Sequence, residues 1–141
     1  MSSNMLNTKD MVERRHWHMD DGVFCLLCSL RTRETRNHLF FECNFSVRIW
    51  NYLQITWSPG NDMSDIVLQA KQDFAKPFFT EVVFIACWNI WIIRNAKVFR
   101  HERQSFNKWR SAFIHDILLM QHRVKARYKE ELLKWISFLP P

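Results

Sequence analysis

The sequence predicts a mostly α-helical protein that opens with a small Cys3His zinc knuckle and continues as a helical bundle. Three observations carry this reading. Glycine is scarce, at 2 residues in 141, and the tight positive-φ turns of β-hairpins depend on it, which disfavours an all-β fold. Apolar residues make up 48% of the chain, with 7 Trp and 12 Phe, so a packed core is expected and low-complexity disorder is not. Over the second half, apolar side chains recur at steps of three and four, the period of a helix face.

Taken in order, Asn7 or Thr8 is a capping residue for a short helix running to about Trp17, and Asp20-Asp21-Gly22 reads as a turn. Phe45, Ile49, Tyr52 and Leu53 share one helical face. Ser58-Pro59-Gly60-Asn61 then breaks the chain, dividing an N-terminal module, 1–57, from a helical region, 58–141. A helix follows over Asp62 to Phe74, with Ile66, Val67 and Ala70 as its apolar side. From Phe78 to about Phe99 the chain is apolar nearly all round, which marks a central buried helix. Its longest apolar run, Val82 to Ile93, is interrupted by Asn89 and bounded by Glu81 and Arg94. That run is shorter than the roughly 20 residues of a membrane span, so no span is expected. Phe106, Trp109, Phe113, Ile117, Met120 and Val124 form a stripe that Leu132 and Trp135 extend, with Tyr128 one residue out of phase. The stripe predicts one long amphipathic helix from Ser105 to Ile136, about 48 Å long, bent near Arg127.

The chemistry lies near the N-terminus. Cys25, Cys28, His38 and Cys43 are spaced C-x2-C-x9-H-x4-C. A Cys-x2-Cys knuckle lets two sulfurs reach one ion, and Cys3His completes the tetrahedron Zn²⁺ prefers. Four protein ligands leave no open coordination position, so the expected ion is a single structural zinc rather than a Lewis-acid catalyst. The module has little core of its own, and metal binding on the order of 10 kcal/mol would account for its folding. Glu34 or Asn37 is the candidate for orienting His38. His16 and His18 read as ordinary histidines, and Cys87 as a small hydrophobe inside the apolar helix.

Charge separates along the chain. Residues 1–57 carry seven basic and six acidic side chains, residues 58–93 two and four, and residues 94–141 eleven and four. The formal net charge of +6 therefore resides in the last third, where Lys108, Arg110, Arg123, Lys125, Arg127 and Lys129 can form a phosphate-binding face or the wet side of a bundle helix. Around the knuckle, Arg31, Arg33, Arg36 and Arg48 stand beside Phe40, Phe41 and Trp50. Arginines beside rings are the ingredients of a nucleic-acid zinc knuckle, although the two phenylalanines fit better as packing beneath the metal. The chain contains no P-loop, G-x-G-x-x-G, H-E-x-x-H or G-x-S-x-G motif, and a non-enzyme is expected. The first 20 residues lack an apolar signal region and carry Asp10, Glu13 and Asp20. That predicts an intracellular protein with reduced thiols, in the nucleus or cytoplasm first and an organelle second, and not secreted.

Leu6-Asn7-Thr8-Lys9-Asp10, Cys25-x2-Cys28, the block from Glu34-Thr35 through His38-Leu39-Phe40-Phe41 to Cys43, and Val47 to Trp50 together resemble the zinc-binding region of plant LINE-type reverse transcriptases. Asn7 stands where that family usually has proline. Trp88, Trp91, Arg94, Asn95 and Phe99 are similar to the tryptophan-rich segment that follows the zinc region in these elements. The polymerase's Tyr-x-Asp-Asp motif is absent. The resemblance implies a retrotransposon-derived zinc module without the enzyme, and RNA or single-stranded DNA as its partner. The alternative is a recruited protein-interaction or regulatory factor, in growth inhibition, defence or reproductive compatibility, docking through its Trp-rich helices.

Overall fold

A computed structural model of the protein describes residues 24–28, 31–59 and 62–141. The expected N-terminal helix, the turn at Asp20 to Gly22, His16, His18 and the Leu6–Asp10 motif lie outside the described residues.

Among the described residues the architecture is helical, with no strand and one isolated antiparallel bridge, Phe24 to Arg33. A five-residue π-helical turn, His38–Glu42, leads into α1, Asn44–Leu53. Then come α2 (Met63–Phe74), α3 (Phe79–Arg100), α4 (Phe106–Met120) and α5 (Ala126–Phe138). Side-chain oxygens of Asp62 and Ser105 accept the Ser64 and Lys108 backbone N–H groups and set the starts of α2 and α4. Helices α1, α2 and α3 end on left-handed residues, Gln54, Ala75 and His101, with φ of 58°, 57° and 57°. Glycine is the residue suited to such a position, because a Cβ there costs about 1–2 kcal/mol.

α3 is the central element. Its buried residues include Val82, Ala86, Ile90 and Arg94, and α4 packs along it through Trp109, Phe113 and Ile117. The Trp109 indole donates to the Ala86 carbonyl at 3.2 Å. Buried Asn89 donates to Asp116 of α4 at 3.0 Å. One continuous cluster of buried side chains runs from Cys25 and Leu39 in the zinc-ligand region to Leu132 in α5.

The ion pair that joins the zinc-ligand region to α3 is Glu34 with Arg94. Both side chains are buried, at 0% and 2% exposure, with Nη2 to Oε1 at 2.9 Å and Nε to Oε1 at 3.2 Å. The guanidinium also donates to Asn95 Oδ1 at 2.8 Å and lies 4.8 Å from the centre of the Trp91 ring. Taking such charges out of water is costly, and only this density of partners offsets the cost.

Three expectations are corrected. The last segment is two helices, broken over residues 121–125, with Lys125 in an extended conformation ahead of α5. A straight helix would carry Trp135 out into solvent. The break returns it to Phe74 and Phe78, each 5.6 Å away between ring centres, and burial of that ring offsets the few helical hydrogen bonds lost. The phase slip at Tyr128 was the sequence's trace of this break. Second, α3 is not buried all round: Phe84, Trp88 and Ile92 are exposed along one side. By length and composition this 22-residue helix could cross a membrane, but its Asn89 and Arg94 side chains turn onto Asp116 and Glu34. Third, α2 buries Ala70 and Phe74, whereas Val67 is exposed.

Two stability measurements follow. Arg94→Met alone should cost about 3–5 kcal/mol in urea unfolding by stranding Glu34, whereas Glu34→Leu/Arg94→Met should cost far less than the two single changes added. Ala75→Gly, which relieves a left-handed alanine, should raise stability by about 1 kcal/mol in the same assay.

Candidate metal centre

The four residues singled out by their spacing converge. One ligand atom from each of Cys25, Cys28, His38 and Cys43 lies within 4.8 Å of every other. The Cys25 and Cys43 sulfurs are 3.8 Å apart, and Cys28 Sγ is 3.4 Å from His38 Nε2. A tetrahedral zinc with bonds of about 2.3 Å to sulfur and about 2.0–2.1 Å to nitrogen requires about 3.8 Å between sulfurs and about 3.5 Å between sulfur and nitrogen. These two separations match that ion, and the four ligand atoms are grouped closely enough to hold it. Cys25, His38 and Cys43 are buried and Cys28 is half-buried, which suits a structural site.

Local backbone chemistry builds the cage. Cys25 N–H donates to the Thr32 carbonyl at 2.9 Å, and with the Phe24–Arg33 bridge this closes the knuckle loop. Thr35 caps the following turn, its Oγ1 accepting the His38 N–H at 3.1 Å and its carbonyl the Leu39 N–H at 2.9 Å. His38 and Cys43 are five residues apart, which on an α-helix would set them about 140° apart around the axis. The π-helical turn widens that path, and the Cys43 N–H closes it onto the His38 carbonyl at 2.6 Å. Cys43 then adopts an extended conformation between the turn and α1. The Leu39 and Phe40 carbonyls accept from α1 side chains instead, from Ser46 Oγ and from Trp50 Nε1, the latter at 2.7 Å.

The Cys25–Cys43 pair is polarised, with Cys43 favoured as thiolate and Cys25 as the thiol that donates to it. A hydrogen bond from Cys25 holds the Cys43 thiol below its ordinary pKa, with help from the Phe45 backbone N–H. The same bond to Cys43, followed by burial, pushes Cys25 up. Burial lowers the pKa of His38 and so favours the neutral ring a metal needs. Cys87, packed inside α3 well away in sequence, is pushed up to about 12 by burial and stays a thiol.

Around the cage, the two predicted orienting residues and Thr35 are placed as follows. Glu34 faces Arg94, Asn37 is exposed, and Thr35 fixes the turn that carries His38. Phe40 and Trp50 are buried, and half-buried Phe41 stacks on Trp50 at 6.1 Å and 14°, so these three rings are core rather than a surface for ligand. Arg31 and Arg33 are exposed on the knuckle loop, and Arg36 is half-buried. Arg48 is exposed with its guanidinium 4.2 Å from the centre of the Phe106 ring, which ties α1 to α4. Arg123, Lys125 and Arg127 are exposed at the break between α4 and α5. Phe106 at the start of α4 packs on Tyr52 of α1, and α4 is about 22 Å long, so this second basic group lies at the opposite end of α4 from that contact. Lys108 is exposed, Lys129 is half-buried, and Arg110 donates to the Tyr52 hydroxyl at 3.0 Å.

One surface ring went unnoticed in the sequence. Phe24 is 41% exposed, and the Arg31 guanidinium lies 5.5 Å from its centre. The available signal was alternation, since the residue before an inward-facing ligand in extended backbone faces outward.

Residues 1–50 match the family model described as zinc-binding in reverse transcriptase. No curated protein and no solved structure matches the chain.

Purified protein should carry one zinc per chain by mass spectrometry, and Cys25→Ser or His38→Ala should lose it together with helical signal. Acid should weaken the site. Ligands bind metal deprotonated, and His38 is held neutral when folded but takes a proton at about pH 6.5 when unfolded. Stability and zinc retention should therefore be full above that pH and fall as the pH drops below it.

Proposed function

We propose that this chain is a non-catalytic, retrotransposon-derived zinc protein that binds single-stranded nucleic acid, RNA or DNA. The observation that carries the reading is the placement of Arg31 and Arg33. Both are exposed on the loop that the Cys25–Cys28 knuckle closes, so a metal cage holds cationic side chains on a defined surface. A descent from plant LINE-type reverse transcriptases is supported by the match over residues 1–50 and by the Trp88-x2-Trp91-x2-Arg94-Asn95 segment beyond it. A non-catalytic role is supported by the ligand set, because three cysteines and a histidine fill a tetrahedral shell. Thiols that must stay reduced to bind metal support an intracellular setting. Arg123, Lys125 and Arg127, exposed at the break between α4 and α5, supply further phosphate contacts.

A second reading rests on a different surface. Phe84 and Trp88 of α3, with Leu119 and Val124, border an apolar groove of about 670 Å³ between α3 and α4. Glu81, Asp116 and Arg123 also line it, so its polar rim carries both signs of charge. This groove supports the protein-interaction alternative. Association that survives nuclease and disappears in Trp88→Glu would belong to it.

Binding of a labelled single strand should weaken steeply with salt, by about 0.7 in log affinity per unit log salt for each phosphate contact. Arg31→Ala/Arg33→Ala should flatten that slope by one to two contacts without loss of zinc. Salt-independent binding, or an unchanged slope in the double variant, would overturn the reading.

A further inference from the structure

We propose that Phe24, with Arg31 beside it, is a stacking platform for one unpaired base, so that the zinc knuckle selects single strands over duplexes. This rests on the nucleic-acid reading above and adds to it the site and the chemical group recognised.

Phe24 immediately precedes the ligand Cys25 in extended backbone. Successive side chains of an extended segment face opposite sides, so an inward Cys25 sets Phe24 outward. The exposures agree, at 3% for Cys25 and 41% for Phe24. The backbone there is not free to turn the ring inward. It is bridged to Arg33, and the adjacent Cys25 N–H is bonded to the Thr32 carbonyl at 2.9 Å. Residues opposite each other across an antiparallel bridge project to the same side, so Arg33 shares the face of Phe24. Arg31 reaches that face from a left-handed backbone position, φ 53°, and sets its guanidinium over the ring at 5.5 Å.

An aromatic face and a guanidinium plane are the two surfaces on which proteins stack unpaired bases, and a second cation alongside meets the phosphate. A paired base inside a duplex cannot present its face to a side chain, so the platform discriminates by strandedness. It is tolerant of sequence, because every base has a π-face. Among the described residues of the zinc region, Phe40 and Trp50 are buried, Phe41 packs on Trp50 and Trp57, and Phe45 is half-buried against the core. Ring position also depends on the metal, since the loop that holds it is anchored by Cys25 and Cys28.

The test is fluorescence anisotropy of the zinc-loaded full chain with a labelled oligouridine, the matching oligothymidine and an RNA duplex. Wild type, Phe24→Ala and Phe24→Trp are compared, each checked for zinc content and circular dichroism. Phe24→Ala should weaken binding of both single strands about tenfold or more. It should leave the salt slope, duplex affinity and zinc content unchanged. Phe24→Trp should bind single strands as tightly as wild type, with its indole fluorescence quenched by the base. If wild type binds single strands and Phe24→Ala binds them equally well, the platform is overturned and the nucleic-acid reading stands. Equal weakening on single strand and duplex would also overturn it, because that is loss of loop structure and not of stacking. If wild type binds none of the three, the nucleic-acid reading falls and the platform with it.

Discussion

Glu34 and Arg94 meet in the interior sixty residues apart in the chain, both without meaningful access to water. A buried carboxylate or guanidinium alone is strongly unfavourable, so each is tolerable only where the other stands. That requirement locks the placement of two segments. Glu34 directly precedes Thr35, the cap of the turn that presents His38, and Arg94 sits in the second half of α3. Gln104 with the Leu27 carbonyl, Arg110 with the Tyr52 hydroxyl and Arg48 over the Phe106 ring add fastenings at the edges. They are weaker because they are partly wet. The pair in the interior sets where the zinc-ligand region stands on the bundle, and the others fit around it.

From that anchor the metal cage follows with little freedom. Cys25 and Cys28 come from a loop closed by two backbone interactions, while His38 and Cys43 come from either end of a widened turn. The widened turn leaves carbonyls that an α-helix would have used, and Ser46 and Trp50 of α1 take them. Trp50 thereby serves the cage and the core at once, its indole nitrogen on Phe40 and its rings against Phe41 and Trp57. Phe40, Phe41 and Trp50 are consumed by this packing, whereas Phe24 faces outward.

The surface divides by chemistry. One end carries the knuckle with Phe24, Arg31 and Arg33, and the break after α4 carries Arg123, Lys125 and Arg127. One side of α3 shows Phe84, Trp88 and Ile92, beside a groove lined by Glu81, Asp116 and Arg123. Arg123 belongs both to the basic group at the break and to the lining of the groove, so the two proposed surfaces meet at that side chain.

Sequence alone determined the ligands, the helical class and most helix starts, because each depends on short-range rules. Ligand spacing has to span one ion, Asp62 and Ser105 cap the turn directly after them, and Pro59 disrupts its own neighbourhood. The tertiary structure decided what depends on distant partners. Glu34 reads as an outer neighbour of His38 until Arg94 arrives sixty residues later. The stripe from Phe106 to Trp135 reads as one helix until Phe74 and Phe78 make folding back more favourable than running on. Phe84, Trp88 and Ile92 read as core because α3 is apolar on every side, and periodicity cannot say which sides find a neighbour. Hydrophobic burial is non-directional, so a sequence shows which residues seek cover, and only the assembled fold shows which of them obtain it.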